Sequence, residues 1–227
     1  MTRRIDTSSL VDRVYEYLLD QIVTGTIKYG DSISIKQIAA ELNVSTMPVR
    51  EAVKRLEFEQ VVSIKPRSSC RVRKPSRKMI REVYELREVL ELYAVSKSLS
   101  RVSPGSLGQL HRIVDRMRAL REEADLAGRE KKAVALDYDF HAELCALAGN
   151  DFLSANFRQL SLHVNMTLIH EKTYRTLERE WPEVHAEILR CIEEEPSRAE
   201  EMLKRHFANV TALLEGNGAE QDDDDER

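Results

Sequence analysis

The sequence predicts a mainly α chain: an N-terminal group of three helices closed by a β-hairpin, then an all-α antiparallel helical bundle. Three observations predict it. Only 8 glycines and 6 prolines occur in 227 residues, so helix breakers are few. Apolar residues recur at three- and four-residue spacing through most of the chain, and no long alternating run interrupts them. One segment alone has strand character, Val61-Val-Ser-Ile64 and Cys70-Arg-Val-Arg-Lys74 around the polar Lys65-Pro-Arg-Ser-Ser69, and it has the form of a hairpin.

The elements follow in order. Leu10, Val14, Tyr17, Leu18 and Ile22 form one apolar stripe at helical spacing, and Gly25 ends that helix. Tyr29-Gly-Asp31 turns the chain. Ser34, with Gln37 three residues on, has capping-box spacing and opens a short helix through Leu42. Asn43-Val44 turns it again. Ser45 caps a third helix running to Glu59, with Pro48 in the first turn, where its missing N–H is not needed. After the hairpin, Lys74-Pro-Ser-Arg77 breaks the pattern. The first domain is therefore 1–73 and the linker 74–77. Bundle helices are expected over 78–100, 104–126, 130–148, 152–173, 175–194 and 197–214. The breaks fall at Ser103-Pro-Gly105, Ala127-Gly128, Gly149-Asn-Asp151 and Glu195-Pro-Ser197. Short loops between long helices make 78–214 an antiparallel bundle. Residues 215–227 carry seven acids and one arginine and read as a disordered acidic tail.

Composition excludes several classes. With 42% hydrophobic and 33% charged residues, the chain has material for a core and a solvated surface. No apolar run approaches the roughly 20 residues of a membrane helix, and the N-terminus lacks the apolar stretch of a secretory signal. Cys70, Cys145 and Cys191 are odd in number and far apart, so no disulfide framework or paired-cysteine metal site follows. A reducing, cytoplasmic setting is expected. The net charge of −4 conceals a division: residues 1–77 sum to +5 and the remainder to −9, while 43–77 alone sum to +6. A basic segment on an acidic protein is the footprint of a polyanion site, although a solvated surface would give the same count.

Helix, tight turn, helix and basic hairpin together make a winged helix-turn-helix. The third helix fits a major groove, and its N-terminus favours a phosphate. Arg50, Lys54 and Arg55 lie on or near one side of it, while Ala52, Val53 and Leu56 can face the core. Lys65, Arg67, Arg71 and Arg73 project from the hairpin toward backbone or minor groove. Double-stranded operator DNA is the expected partner; contact with a protein is the alternative.

The stretch Ile38-Ala-Ala-Glu-Leu-Asn-Val-Ser-Thr-Met-Pro-Val-Arg-Glu-Ala-Val-Lys-Arg-Leu-Glu57 resembles the DNA-binding domain of GntR-family bacterial transcription regulators. Gly25 and Tyr29-Gly30 match it upstream. The chain has Thr46 where many relatives carry arginine, Gln60 where they carry a glycine before the wing, and Ser68-Ser69 at the wing tip. The resemblance implies DNA contacts by Ser45, Thr46, Arg50, Lys54, Lys65 and Arg67, with Arg50 as the base-contacting residue.

A second constellation lies in the bundle. His141 follows Asp137 by four residues, which places both side chains on one helix face. His185 falls among Trp181, Ile188 and Leu189, and His206 among Met202, Leu203 and Val210. Buried imidazoles and carboxylates need partners. One divalent transition metal would serve all four: zinc first, with nickel, manganese or iron also suited to imidazole and carboxylate. Each histidine taken singly reads first as a core residue bonded to a carbonyl or hydroxyl; the three together with the i, i+4 aspartate favour the metal. His163 could reach the same cavity from its own helix.

Residues 78–214 also resemble the helical effector domain, called FCD, of the FadR-type branch. The likeness runs through Glu85-Leu-Arg-Glu-Val-Leu-Glu91, Asp137-x-x-x-His141, Gly149-Asn150 and the helices bearing His185 and His206. It implies a metal held by Asp137, His141, His185 and His206, with open positions for a small carboxylate effector. Arg87 matches a commonly retained arginine. It is suited to a bidentate pair with a carboxylate, or to an ordinary surface or interhelix salt bridge with Glu91 or Asp137. The expected function is a metabolite-responsive regulator, a repressor acting as a homodimer, and not an enzyme. The alternatives are a metal-sensing regulator without organic effector and a metal-dependent hydrolase.

Overall fold

The computed structural model describes residues 9–65, 69–99, 105, 107–123, 125–170 and 181–216. Arg67, the acidic tail and the expected helical turns at 171–180 lie outside them. The chain divides into two compact units, Met1–Pro75 and Ser76–Arg227.

The first unit contains α1 (Leu10–Val23), β1 (Ser32–Ile33), α2 (Ile35–Glu41), α3 (Thr46–Phe58), β2 (Val62–Lys65) and β3 (Ser69–Val72). Ser9 and Asp12 close a capping box at the start of α1. Val14, Leu18 and Ile22 of α1 pack with Val49, Ala52, Val53 and Leu56 of α3, all fully buried. The stripe differs from the expected one in two places. Leu10 is exposed, and Tyr15 takes the core position expected of Tyr17. Tyr15 can be buried because its polar end is satisfied: the hydroxyl donates to Glu59 Oε2 at 2.5 Å, and the Arg55 guanidinium covers the ring at 3.8 Å. Tyr17 instead donates to Glu41 at the surface.

Gly25 has φ +71°, the left-handed turn that ends α1. Asn43 (φ 51°) makes the tight turn between α2 and α3. Gln60 also takes the left-handed form, at φ 61°, before the wing. The hairpin is β2–β3, and a strand the sequence did not indicate joins it. β1 pairs antiparallel with β3, Ile33 opposite Cys70, giving the order β1-β3-β2. Two residues are too few to show alternation. The tertiary partner makes this strand, helped by Gly30 N–H donating to Val72 O and Val72 N–H to Asp31 O.

Among its described residues the second unit has helices and no strand: α4 (Arg77–Ser98), α5 (Gly108–Leu120), α6 (Leu126–Ala146), α7 (Asp151–His170), α8 (Trp181–Glu194) and α9 (Pro196–Gly216). Phe140, Leu144, Ile188, Leu203 and Phe207 are among the side chains that fill its centre. The expected break at Ala127-Gly128 is misplaced. The break falls between Leu120, the end of α5, and Leu126, the start of α6, and Gly128 lies inside the first turn of α6. Asp125 takes the extended N-cap conformation, and its carboxylate occupies the space a β-carbon on Gly128 would need. The glycine makes room at a helix start; it does not end a helix. Arg129 Nη1 donates to the carbonyls of Arg121 and Glu123 and satisfies acceptors that the end of α5 leaves open. No helix among the described residues is long and apolar enough to cross a membrane.

Candidate functional site

Four bundle helices converge on a buried polar cluster. α6 supplies Asp137 and His141 one turn apart, α8 supplies His185, α9 supplies His206, and α4 supplies Arg87 and Glu91. Each sits on the inner face of its helix: α8 buries Trp181, His185, Ile188, Leu189 and Ile192 together, so its apolar stripe carries the histidine inward. The rings of His141, His185 and His206 lie 5.1–5.3 Å apart between centroids, and one nitrogen of each falls within 4.8 Å of the others. These three form the group able to hold a metal. Asp137 adjoins them, with Oδ1 3.2 Å from His185 Nε2 and 3.7 Å from His141 Nε2.

Hydrogen bonding orients two of the rings. His185 Nδ1–H donates to the Trp181 carbonyl at 2.7 Å. His141 Nδ1–H donates to Glu91 Oε2 at 2.5 Å. A carbonyl and a carboxylate accept only, so each of these rings carries a proton on Nδ1 and turns Nε2 toward the cluster. The two Nε2 atoms lie 3.3 Å apart. Two buried ring nitrogens that close share a proton or a cation. Electrostatics disfavours the charged form of His206 and of His141. Burial pushes His206 well below its ordinary value, and His185 and His141 push it further. Burial also lowers His141, outweighing the opposite pull of Glu91. Burial alone would raise Asp137, but His141, the His185 bond and Arg87 together hold it well below the usual carboxylate range.

Of the two arrangements expected for Arg87, the salt bridge is present. The residue is 3% exposed, its Nε donates to Glu91 Oε1 at 2.7 Å, and its Nη2 lies 3.7 Å from Asp137 Oδ2. Nη2 has no hydrogen bond among the described residues. His163 is half-buried on α7, and its carbonyl accepts from Thr167; it is not in the three-histidine group. Two roles escaped sequence reading, that of Trp181 toward Asp137 and that of Glu91 toward His141. Trp181 Nε1 donates to Asp137 Oδ1 at 3.1 Å. Glu91 is fully buried, and its only sequence signal is its position four residues after Arg87 on a face shared with Tyr84 and Val95.

In the first unit, the start of α3 is open to solvent. Ser45 stands at the N-cap without a side-chain capping bond, and Thr46, Met47 and Arg50 are exposed beside it. The three cations of this helix separate. Arg55 is held by Asp12, Glu59 and the Tyr15 ring, and Lys54 pairs with Glu51 at 2.9 Å. Arg50 has no ion pair among the described residues. Lys65 is exposed at the end of β2, whereas Arg71 donates to the Gly30 carbonyl. Met47 was not anticipated. It is 63% exposed and falls outside the buried set Val49, Ala52, Val53 and Leu56.

Comparison with known proteins agrees with both units. Residues 10–72 match the model of bacterial regulatory proteins of the gntR family, and residues 82–209, more than half the chain, match the FCD domain. The chain belongs to the GntR family of bacterial regulators, with an FCD domain. This GntR-family chain is 28% identical to the Escherichia coli regulator McbR over 125 residues, which is 55% of this chain and 57% of McbR. It is 26% identical to the Nta operon transcriptional regulator of Aminobacter aminovorans over 190 residues, 82% of this chain and 88% of that one. Among solved structures, a GntR regulator from Rhodococcus sp. RHA1 superposes with a TM-score of 0.80 at 23% identity, covering 92% of this chain and 99% of its own. The fold is therefore that of GntR regulators, and the family and its relatives are transcriptional regulators rather than enzymes.

Proposed function

We propose that this GntR-family protein is a metabolite-responsive repressor. It binds operator DNA as a homodimer through α3 and the wing, and its helical unit holds a divalent transition metal and a small carboxylate effector. The DNA-binding domain is 1–73, joined by the linker 74–77 to the effector and dimerisation domain 78–214. A cytoplasmic setting accords with its three free thiols, all buried. The relative RspR of Escherichia coli, 27% identical over 142 residues, is named a transcriptional repressor.

The observation that carries the metal reading is the convergence of His141, His185 and His206, one nitrogen of each within 4.8 Å of the others, with the Nε2 atoms of His141 and His185 3.3 Å apart beside Asp137. Zinc is the first candidate, with nickel, manganese and iron as alternatives. His141, His185 and His206, with Asp137, are the residues that would hold it; when bound, it supplies Lewis-acid positions for a carboxylate. Charge counting supports an anion as the next partner. With neutral imidazoles, Arg87, Glu91 and Asp137 sum to one negative charge; a divalent ion reverses that sign, and one carboxylate restores neutrality in a site where unbalanced charge is costly. The effector contacts would be Arg87, through Nη2, and His163. Effector and DNA are coupled only if the effector prefers one arrangement of the dimer over the other.

One observation favours a second reading. Arg87 is already neutralised by Glu91 and Asp137, which suits a regulator for which the metal itself is the signal. One experiment separates the two. Protein purified without chelator should carry about one equivalent of metal, lost in His185→Ala. Titrating that metal-loaded protein with small carboxylates should release operator DNA. Release on adding or removing metal alone, with no response to any carboxylate, favours metal sensing. No metal in the wild type, even after reconstitution, leaves the histidines as core residues.

A further inference from the structure

Glu91 is 0% exposed, and its two oxygens are divided between two helices' worth of partners. Oε1 accepts from Arg87 Nε at 2.7 Å, one turn back on α4. Oε2 accepts from His141 Nδ1 at 2.5 Å, across on α6. We propose that Glu91 is the positioning residue of the histidine cluster: it determines which nitrogen His141 presents to the metal and ties Arg87 to that choice. This rests on the metal reading above and adds to it a residue outside the ligand set.

The argument is one of donors and acceptors. A neutral imidazole carries its proton on either nitrogen, and the ring presents a lone pair only from the other. Glu91 accepts from Nδ1, so Nε2 is left bare, and Nε2 is the atom 3.3 Å from His185 Nε2. Without that acceptor the Nε2–H form becomes accessible and puts a proton where a ligand lone pair is needed. For His185 the same duty falls to the main-chain carbonyl of Trp181, which no side-chain change removes. Among the described residues, Glu91 is the side chain that performs it for these rings. A carboxylate is required because it accepts twice. Glutamine of the same shape has one oxygen and one amide NH2, so either Arg87 or His141 would meet a donor. Outer partners of metal-bound histidines characteristically act this way, holding orientation and raising ligand basicity.

The test uses the full-length protein and zinc. Competition against a calibrated chelator should find zinc bound roughly 10–100-fold more weakly by Glu91→Gln than by wild type, the usual loss for an outer-shell partner. The double variant Arg87→Met/Glu91→Met distinguishes positioning from simple neutralisation of Arg87. It removes the ion pair as a unit and should still bind zinc weakly; recovery of wild-type affinity would make Glu91 only a counter-ion and overturn the proposal. Equal affinity in wild type and Glu91→Gln overturns it directly. A wild type that takes up no zinc overturns the metal reading itself, and this inference with it. If the variants fail to fold, the wild type alone decides: long-range proton–nitrogen NMR of the zinc-loaded protein should find His141 protonated at Nδ1, and a proton on Nε2 overturns the proposal.

Discussion

The chemistry of the bundle is concentrated in residues that its core can tolerate only in combination. His141 and His206 are both held below their ordinary value, first by burial and then, for His206, by the neighbouring imidazoles. In the unfolded chain such groups take a proton near pH 6.5; in the folded protein they take it only at lower pH. Between those values the unfolded chain binds more protons, so stability is complete above about pH 6.5 and is lost as pH falls toward the folded values. Metal-free protein should therefore melt at a lower temperature at about pH 5.5 than at about pH 7.5. His206→Leu should flatten that dependence. Thermal melts followed by circular dichroism check both, and an unchanged melting temperature in the wild type would show that these rings do not titrate with folding. Asp137 and Arg87 move the other way, each held in its charged form by opposite charge despite burial, and do not titrate in this window.

At the scale of the element, α3 separates two duties along one helix. Its buried face, Val49, Ala52, Val53 and Leu56, anchors it on α1, and the core thus sets its orientation. Its exposed start carries Thr46, Met47 and Arg50 without ion pairing, while Arg55, one turn further, is spent on α1 and Tyr15. Arg50→Ala should therefore lower affinity for the operator by roughly 1–3 kcal/mol, the scale of a good base contact. Lys65→Ala, on the wing, should weaken binding to all sequences alike and reduce the salt slope by about one. Gel-shift titrations at several salt concentrations, with specific and random duplexes, separate the two effects. Unchanged operator affinity in Arg50→Ala would remove α3 as the reading helix. The wing forms although glycine is absent before it, because Gln60 itself adopts the left-handed turn.

At the scale of the whole molecule, the feature that asks for a partner lies on the helical unit. Leu86, Val89 and Tyr93 follow one another at three- and four-residue spacing along α4 and are exposed, Val89 to 62%, while Phe152 at the start of α7 is exposed as well. A second copy presenting the same stripe across a twofold axis would cover it, since a twofold interface is self-complementary. The full chain should sediment as a dimer at micromolar concentration, and Val89→Asp should shift it toward monomer without altering its helical circular dichroism. A wild type that sediments as a monomer would count against the homodimer, and a dimeric Val89→Asp would move the interface elsewhere.

Helix periodicity, few glycines and prolines, and the hairpin at 61–74 were sufficient for the mainly α architecture, because these are local properties of backbone and side-chain spacing. His141, His185 and His206 were legible for a similar reason: an inward position on an amphipathic helix follows from its neighbours in sequence. What only the tertiary structure decided were partnerships. Strand β1 exists because β3 lies beside it, and two residues carry no period of their own. Gly128 lies inside the first turn of α6 against the Asp125 carboxylate, although the same dipeptide reads as a break. Tyr15 displaces Tyr17 in the core because Glu59 and Arg55 meet its polar end. Glu91 joins the histidines because α4 packs on α6 with their buried faces in register, bringing residues fifty apart within a hydrogen bond. A buried charge is decided by what faces it, and facing residues lie far apart in sequence.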